Sequence, residues 1–327
     1  MYENNYPAYN NANANQVMQY ASTSSPYNSL INNTYKFEAI KNKFIVRNMI
    51  VKSIIWMCIT FSIAPLNIFI GPVIGVIHEL IYSAIVSNGI IKSYLKDDFN
   101  RIKTGRLIEL TDAMCESLNL PTPEIYLSDC IKTDAFALKD QFRSALIFSS
   151  SLPLMATDEE LKCVIANLLY QLQSPDYVAL SNMLVHMKSM LDNLKIEYYQ
   201  CRYGGSKVKV KVANWALKLD KNFIDKRMPE IREALCNYTR YQNADMFAVK
   251  ATGNPLAMIS IMNKISNMIH SKYWETKMEE NKIDLNFDPS TLIGFTFNDY
   301  DNNHLLQRIQ DLCTQLNIQP VTAELGK

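Results

Sequence analysis

The sequence predicts an α+β fold that is mainly helical, with a small sheet, behind an N-terminal helical hairpin read as transmembrane. Three observations predict it. Ser53 to Ile77 form a run of 25 residues without a charge, and after His78 and Glu79 comes a second uncharged run, Leu80 to Ile91. Short β-type segments bounded by Pro, Asp and Ser cluster between residues 124 and 149. Apolar residues at helical spacing recur through most of the chain beyond residue 106. The expected organisation is an Asn/Tyr-rich tail (1–35), a membrane-anchoring hairpin (36–98), a main domain (99–285) and a C-terminal helical segment (286–327).

The chain has 327 residues, of which 48% are hydrophobic and 20% charged, enough for a sizeable core. A net charge of +1 points to no nucleic-acid partner, so any membrane case rests on a segment and not on the total. Seven cysteines are scattered without a CxxC pair, which predicts free or buried thiols and neither a disulfide framework nor a cysteine zinc site.

Residues 1–35 hold nine Asn and six Tyr with no apolar period, a composition expected to stay disordered, as an idle tail or a sticky interaction tail. About 20 apolar residues span a bilayer, so the next region reads as a single span at 53–77 or as two arms near 46–64 and 68–91. The turn of the hairpin would fall at Ala64-Pro65-Leu66-Asn67. Charge favours the hairpin. Lys41, Lys43, Arg47 and Lys52 precede it, Lys92, Lys96, Arg101 and Lys103 follow it, and a hairpin puts both basic flanks on the cytoplasmic side. The cost is Glu79 in the second arm, about 2.5–3.5 kcal/mol for an unpaired acid at bilayer depth. A buried soluble hairpin is the alternative.

Arg106–Leu118 has helical periodicity, and Glu124–Leu127, Ala135–Leu138 and Ala145–Ser149 are strand candidates. The clearest helix is Thr157–Leu172. It opens with the capping box Thr157-x-x-Glu160 and continues with one apolar stripe from Leu161 to Leu172. Helices are also expected over 177–200, 228–251, Asn254-Pro255 to Ile265, and near 303–316. Lys207-Val-Lys-Val-Lys-Val212 alternates and reads as a half-buried edge strand, with lipid contact as a second reading.

Four stretches together resemble the HtpX-like, CAAX-processing-type zinc metallopeptidases. Leu120-Pro-Thr-Pro-Glu-Ile-Tyr-Leu127 is similar to that family's opening strand, and Asp134-Ala-Phe-Ala137 to its "N-A-F-A" segment. Thr157-Asp-Glu-Glu-Leu161 opens the helix that carries H-E-x-x-H in the family, and Ala244-Asp245-x-x-Ala248 with Thr252-Gly-Asn-Pro-Leu-Ala257 resembles its later "A-D … G-N-P-L-A" block. The match covers about residues 45–265 and implies a zincin-like peptidase-type domain, a place in protein quality control, and zinc as cofactor. That chemistry needs two His four apart on a helix, a Glu beside the first as general base, and a later Glu as third ligand. Here the corresponding positions are Asn167, Leu168, Gln171 and Tyr241. Amides are poor zinc ligands and Leu takes no proton, so no catalytic residue, no metal site and no bound zinc are expected.

Two acids remain where the family has supporting ones, Asp176 and Asp245. Local hydrogen bonding or a helix terminus is their expected use. His78-Glu79-Leu80-Ile81-Tyr82 spells half of H-E-x-x-H, but Tyr82 stands at the second ligand position and the motif lies in the apolar hairpin.

A zinc-free cleft could still bind an extended peptide beside an edge strand. The candidate residues are Asp134, Ala135, Phe136, Ala145, Ile147 and Ser149. The expectation is a membrane-anchored pseudo-peptidase that binds or regulates protein or peptide partners, with its main domain on the cytoplasmic side. The alternatives are an active metalloendopeptidase with unrecognised ligands and a structural scaffold.

Overall fold

The computed structural model describes residues 27–63, 69–95, 99–129, 134–203, 207–235, 238–269, 293–295 and 303–318. Two helices, α1 (Tyr27–Ile63) and α2 (Ile70–Asn88), pair as a hairpin. Residues 27–35, expected in the tail, are the first turns of α1. Phe37, Ile40 and Phe44 bury one face of that helix, and packing of such a face extends a helix beyond what local composition favours. The rest of the expected tail, and the turn at 64–67, lie outside the described residues.

α2 meets α1 almost backbone to backbone at Gly75, where an added Cβ would stand 2.7 Å from the Ser53 Cα. Gly71, Gly75, Glu79 and Ser83, four residues apart, form the buried face of α2. Its outward face carries Ile70, Val73, Ile77, Leu80, Ile81 and Ile85, all at least half exposed. Among the described residues, no helix is long and apolar enough to cross a membrane.

A short helix, α3 (Ile90–Leu95), leads to strand β1 (Asn100–Ile102) and helix α4 (Arg106–Leu118). Strands β2 (Glu124–Ser128), β3 (Ala135–Lys139) and β4 (Ser144–Ser149) complete a mixed four-stranded sheet in the order β1-β2-β4-β3. β2 runs parallel to β4, while β3 pairs with β4 antiparallel and forms one edge. One turn, α5 (Leu152–Met155), precedes α6 (Asp158–Gln173). The capping box forms as the sequence predicts: Thr157 N–H donates to Glu160 Oε2 at 2.7 Å and Glu160 N–H to Thr157 Oγ1 at 3.3 Å. Glu160 is also held by Lys264 Nζ (2.7 Å) and Ser260 Oγ (2.6 Å). Burial pushes its carboxyl up, but these donors prevail and keep it below its ordinary value.

Helices α7 (Pro175–Tyr203), α8 (Lys207–Leu235), α9 (Tyr238–Thr252), α10 (Pro255–Ile269) and α11 (Asn303–Gln315) wrap the sheet and α6. The edge strand read at 207–212 is corrected: these residues begin α8, a helix of 29 residues. Beyond them the burial repeat is helical, with Ala213, Ala216, Asp220, Ile224 and Ile231 inward, and that longer period overrides six residues of alternation. α9 stops at Gly253, whose φ of +67° suits a residue without Cβ, and Asn254 then caps α10 by accepting from Ala257 N–H.

One core takes Phe37 and Phe44 from α1, Ile91, Phe136, Leu168 and, from α11, Leu305. The expected boundaries at 98 and 285 therefore separate no independent cores. α11 packs on α9 and α10 as part of the main body. Cys115, Cys163 and Cys313 are buried free thiols, and burial raises the Cys115 and Cys163 thiols to about 11.

Candidate functional site

Asn167 and Gln171 stand four residues apart on one face of α6, and Tyr241 and Asp245 four apart on the facing side of α9, so one helix pair brings all four together. All four are buried. Three of them, Gln171, Asn167 and Asp245, join in a chain of hydrogen bonds. Gln171 Nε2 donates to Asn167 Oδ1 at 2.6 Å, and Asn167 Nδ2 donates to Asp245 Oδ1 at 2.8 Å. Leu168 points into the core.

The Asp245 carboxylate is closed off by Arg308 of α11. Nε donates to Oδ2 at 2.9 Å and Nη2 to Oδ1 at 2.7 Å, a two-pronged pair in which both residues are buried. The same guanidinium lies 4.8 Å from the Tyr241 ring centroid and 5.4 Å from that of Phe295. Burial acts to raise the Asp245 carboxyl and outweighs the pull of Arg308. Burial also acts to lower Arg308, but attraction to Asp245 prevails and raises it.

A second buried pair lies alongside. Arg240 Nη1 donates to Asp176 Oδ2 at 3.3 Å, with Asp176 in the first turn of α7, where a carboxylate also suits the helix dipole. Arg240 sits 5.0 Å from the Tyr241 ring centroid, on the ring's approach from α9 itself. Each retained acid is paired with an arginine, Asp245 through both oxygens and Asp176 through Oδ2 alone, and Asp245 also holds the amide of Asn167.

The residues present do not fit zinc. Asn167 Oδ1 and both Asp245 oxygens are already hydrogen-bonded, the oxygen left over, Gln171 Oε1, is a single neutral donor atom, and the guanidinium paired with Asp245 adds a positive charge where a dication needs negative ones. Among the described residues, no group of three or more His, Cys, Asp or Glu is arranged to hold a metal ion. The half-motif in the hairpin splits across its helix. Glu79 turns into the bundle beside Asn48, Lys52 and Asn193, while the His78 ring stacks on Tyr82 at 6.5 Å between centroids.

The peptide-binding candidates need correction. Ala145, Ile147 and Ser149 lie on β4, an inner strand with β2 on one side and β3 on the other, so no peptide can add there. Phe136 is buried edge-on against Tyr94, with centroids 5.5 Å apart. Ser149 Oγ accepts from Leu152 N–H at 3.3 Å and so caps the turn of α5. Asp134 and Ala135 are at the sheet edge, but Asp134 Oδ1 accepts from Ala135 N–H at 2.8 Å.

Sequence reasoning missed Arg308, Arg240, Tyr177 and Phe295. Arg308 carried a signal: it falls on the apolar stripe of α11, between Leu305 and Leu312, where a charge is buried unless the stripe is broken. No family model matches the chain, and no curated protein matches it.

Proposed function

We propose that this chain is a catalytically inactive relative of the HtpX-like zinc metallopeptidases, held at a membrane by its hairpin and acting by binding or regulating protein or peptide partners. The observation that carries the first part is the Arg308–Asp245–Asn167–Gln171 network. Hydrolysis of a peptide by this class of enzyme needs an activated water and a general base. Here the base position is Leu168, and a fixed positive charge is paired with Asp245 beside the degenerate ligand positions.

The bilayer is the partner that best suits the hairpin. α2 turns Glu79 and Ser83 inward and Ile77, Ile81 and Ile85 outward, the reverse of a helix whose apolar face is covered by its own domain. Its close approach to α1 uses small residues four apart, a packing mode favoured where lipid surrounds the pair. Between the two helices, a groove of about 340 Å³ lined by Val46, Ile50, Ile54, Met57 and Val76 opens on the same outer face and suits an acyl chain. The hairpin rests on the membrane by this face while its inner face packs on α7. Basic residues flanking the hairpin, Lys41, Lys43, Lys92 and Arg101, suit an anionic lipid surface of the kind found on the cytoplasmic leaflet.

The test has two arms. Full-length protein incubated with an unfolded membrane substrate is expected to release no fragments. Chelator-sensitive cleavage that disappears in Asn167→Ala or Gln171→Ala would sink the inactive reading. In flotation with anionic phospholipid vesicles, the wild type is expected to float and an Ile77→Asp/Ile81→Asp variant to stay at the bottom. Equal flotation of both would remove the hairpin as the anchor.

A further inference from the structure

A groove with apolar walls runs along the seam of the hairpin. Val46, Ile50, Ile54 and Met57 of α1 face Pro72 and Val76 of α2 across about 340 Å³. Val46 and Ile50 are each more than half exposed. The one hydroxyl in the wall, that of Ser53, is turned back on the backbone: Oγ donates to Met49 O at 2.7 Å and lies 3.2 Å from Pro72 O. The wall side chains therefore offer a guest apolar contact and no further hydrogen bond.

The groove is long and small. Val46 to Met57 covers roughly 17 Å of helix, about half of the roughly 30 Å hydrocarbon core that two lipid chains fill end to end. Its volume lies at the small end of ligand sites, about 300–1,000 Å³. Both dimensions suit one alkyl chain and not two.

Charge marks one end of it. Lys43 is exposed and stands seven residues before Ile50, two helical turns along the same face of α1. Glu230, whose carboxyl feels the charge of Lys43, is already paired with Arg227 at 2.7 Å and Lys36 at 3.8 Å. Lys43 therefore has no carboxylate of its own among the described residues. From residue 39 to residue 96 the sequence holds a single acid, Glu79, and it is buried. An anion at the Lys43 end meets cations and no exposed acid of the hairpin.

We propose that this groove is a specific site for one long-chain fatty acid anion, its chain laid between α1 and α2 and its carboxylate held at Lys43. This rests on the lipid part of the function proposed above and narrows the ligand from a bilayer to a single-chain acid. A long Lys stem can lie along the apolar wall while its ammonium reaches the carboxylate at the rim.

The probe is dodecanoate, titrated below micelle formation into full-length protein in buffer free of vesicles and detergent, and followed by calorimetry. Saturable binding of one dodecanoate per chain is expected. Lys43→Gln is expected to weaken it about fivefold, the worth of one basic residue to an anionic lipid. Dodecanol, which has the chain without the charge, is expected to bind the wild type about as weakly as dodecanoate binds Lys43→Gln. Val76→Trp fills the groove and is expected to abolish binding. Equal binding by wild type and a folded Val76→Trp variant, or uptake of many dodecanoates without saturation, would overturn the proposal. If Val76→Trp fails to fold, a dodecanoate carrying a mid-chain diazirine decides. Crosslinks within residues 46–57 or 72–76 of the wild type are expected, and crosslinks elsewhere overturn the site. Vesicle flotation of the wild type keeps the membrane question apart. A protein that stays at the bottom yet binds dodecanoate loses its anchor and keeps this site, and one that floats but binds no dodecanoate does the reverse.

Discussion

The α6–α9 pair and the α1–α2 hairpin both bury polar side chains, yet they treat their apolar residues in opposite ways. Around Asn167, Gln171 and Asp245 the apolar residues close over the polar chain, and nearly every side chain of α6 is buried. In the hairpin, Lys52 and Glu79 are buried just as deeply, but Ile77, Leu80 and Ile81 are left outside. The first arrangement pairs its charges internally, Asp245 with Arg308 and Asp176 with Arg240, and leaves Gln171 Oε1 without a hydrogen bond. The second leaves an apolar face exposed among the described residues, and has a polar interior where the two helices pair. Burying charge does not by itself mark a reactive site; in both regions each charge has neighbours that account for it.

The largest expected effect tests the internally paired region. Arg308→Leu strands the Asp245 carboxylate in a dry interior and is expected to cost about 3–5 kcal/mol in urea unfolding. Arg308→Leu/Asp245→Leu is expected to recover most of that loss. If the single variant costs nothing, the network is not what holds this centre together.

The seam between the two regions is α7, which packs on both α1 and α6. His186 lies there, buried, with neither ring nitrogen hydrogen-bonded. Burial, helped by the charge of Lys41, lowers its pKa from 6.5 to about 4. The unfolded chain therefore takes up this proton first as the pH falls. Stability is complete above about pH 6.5 and is lost as the pH drops from there toward 4, by roughly 3 kcal/mol in all. Denaturation midpoints measured across that range are expected to fall in the wild type, and the fall is expected to be shallower in His186→Leu. Parallel curves would show that His186 is not the titrating group.

In the hairpin, Gly75→Leu puts a side chain where Cβ alone meets Ser53 at 2.7 Å. An expected loss of about 1–3 kcal/mol comes from pushing the helices apart, and vesicle flotation is expected to weaken with it. Unchanged stability and flotation would mean that the close helix contact is dispensable. The smallest effect lies at the start of α6: Thr157→Ala removes half of the capping box and is expected to cost about 1 kcal/mol. Thermal unfolding would check it.

Local signals were readable wherever sequence neighbours supply the stabilisation. The capping box at Thr157 and Glu160, the stripe of α4 and the three longer strands all appear within a residue or so of their expected bounds. β1 was missed because three residues, two of them exposed, are too few to show a period. The Lys/Val alternation at 207–212 misled because its period ran for six residues and the helical one for many more. Which residues would share a centre was also legible, since Asn167, Gln171, Tyr241 and Asp245 do converge. What they would bond to was not. Arg308 is 63 residues from Asp245 along the chain, and Phe295 stands far beyond Ala135, so only tertiary packing joins them. The same long-range contact turned an edge expected to be open into one that is closed.

The central claim is that this centre pairs its carboxylate with a guanidinium and is not built for a metal. Elemental mass spectrometry of the purified full-length protein after mild dialysis tests it most directly. The expected result is zinc far below one equivalent per chain, unchanged in an Asp245→Asn variant. About one tightly held zinc per chain, lost on Asp245→Asn, would contradict it.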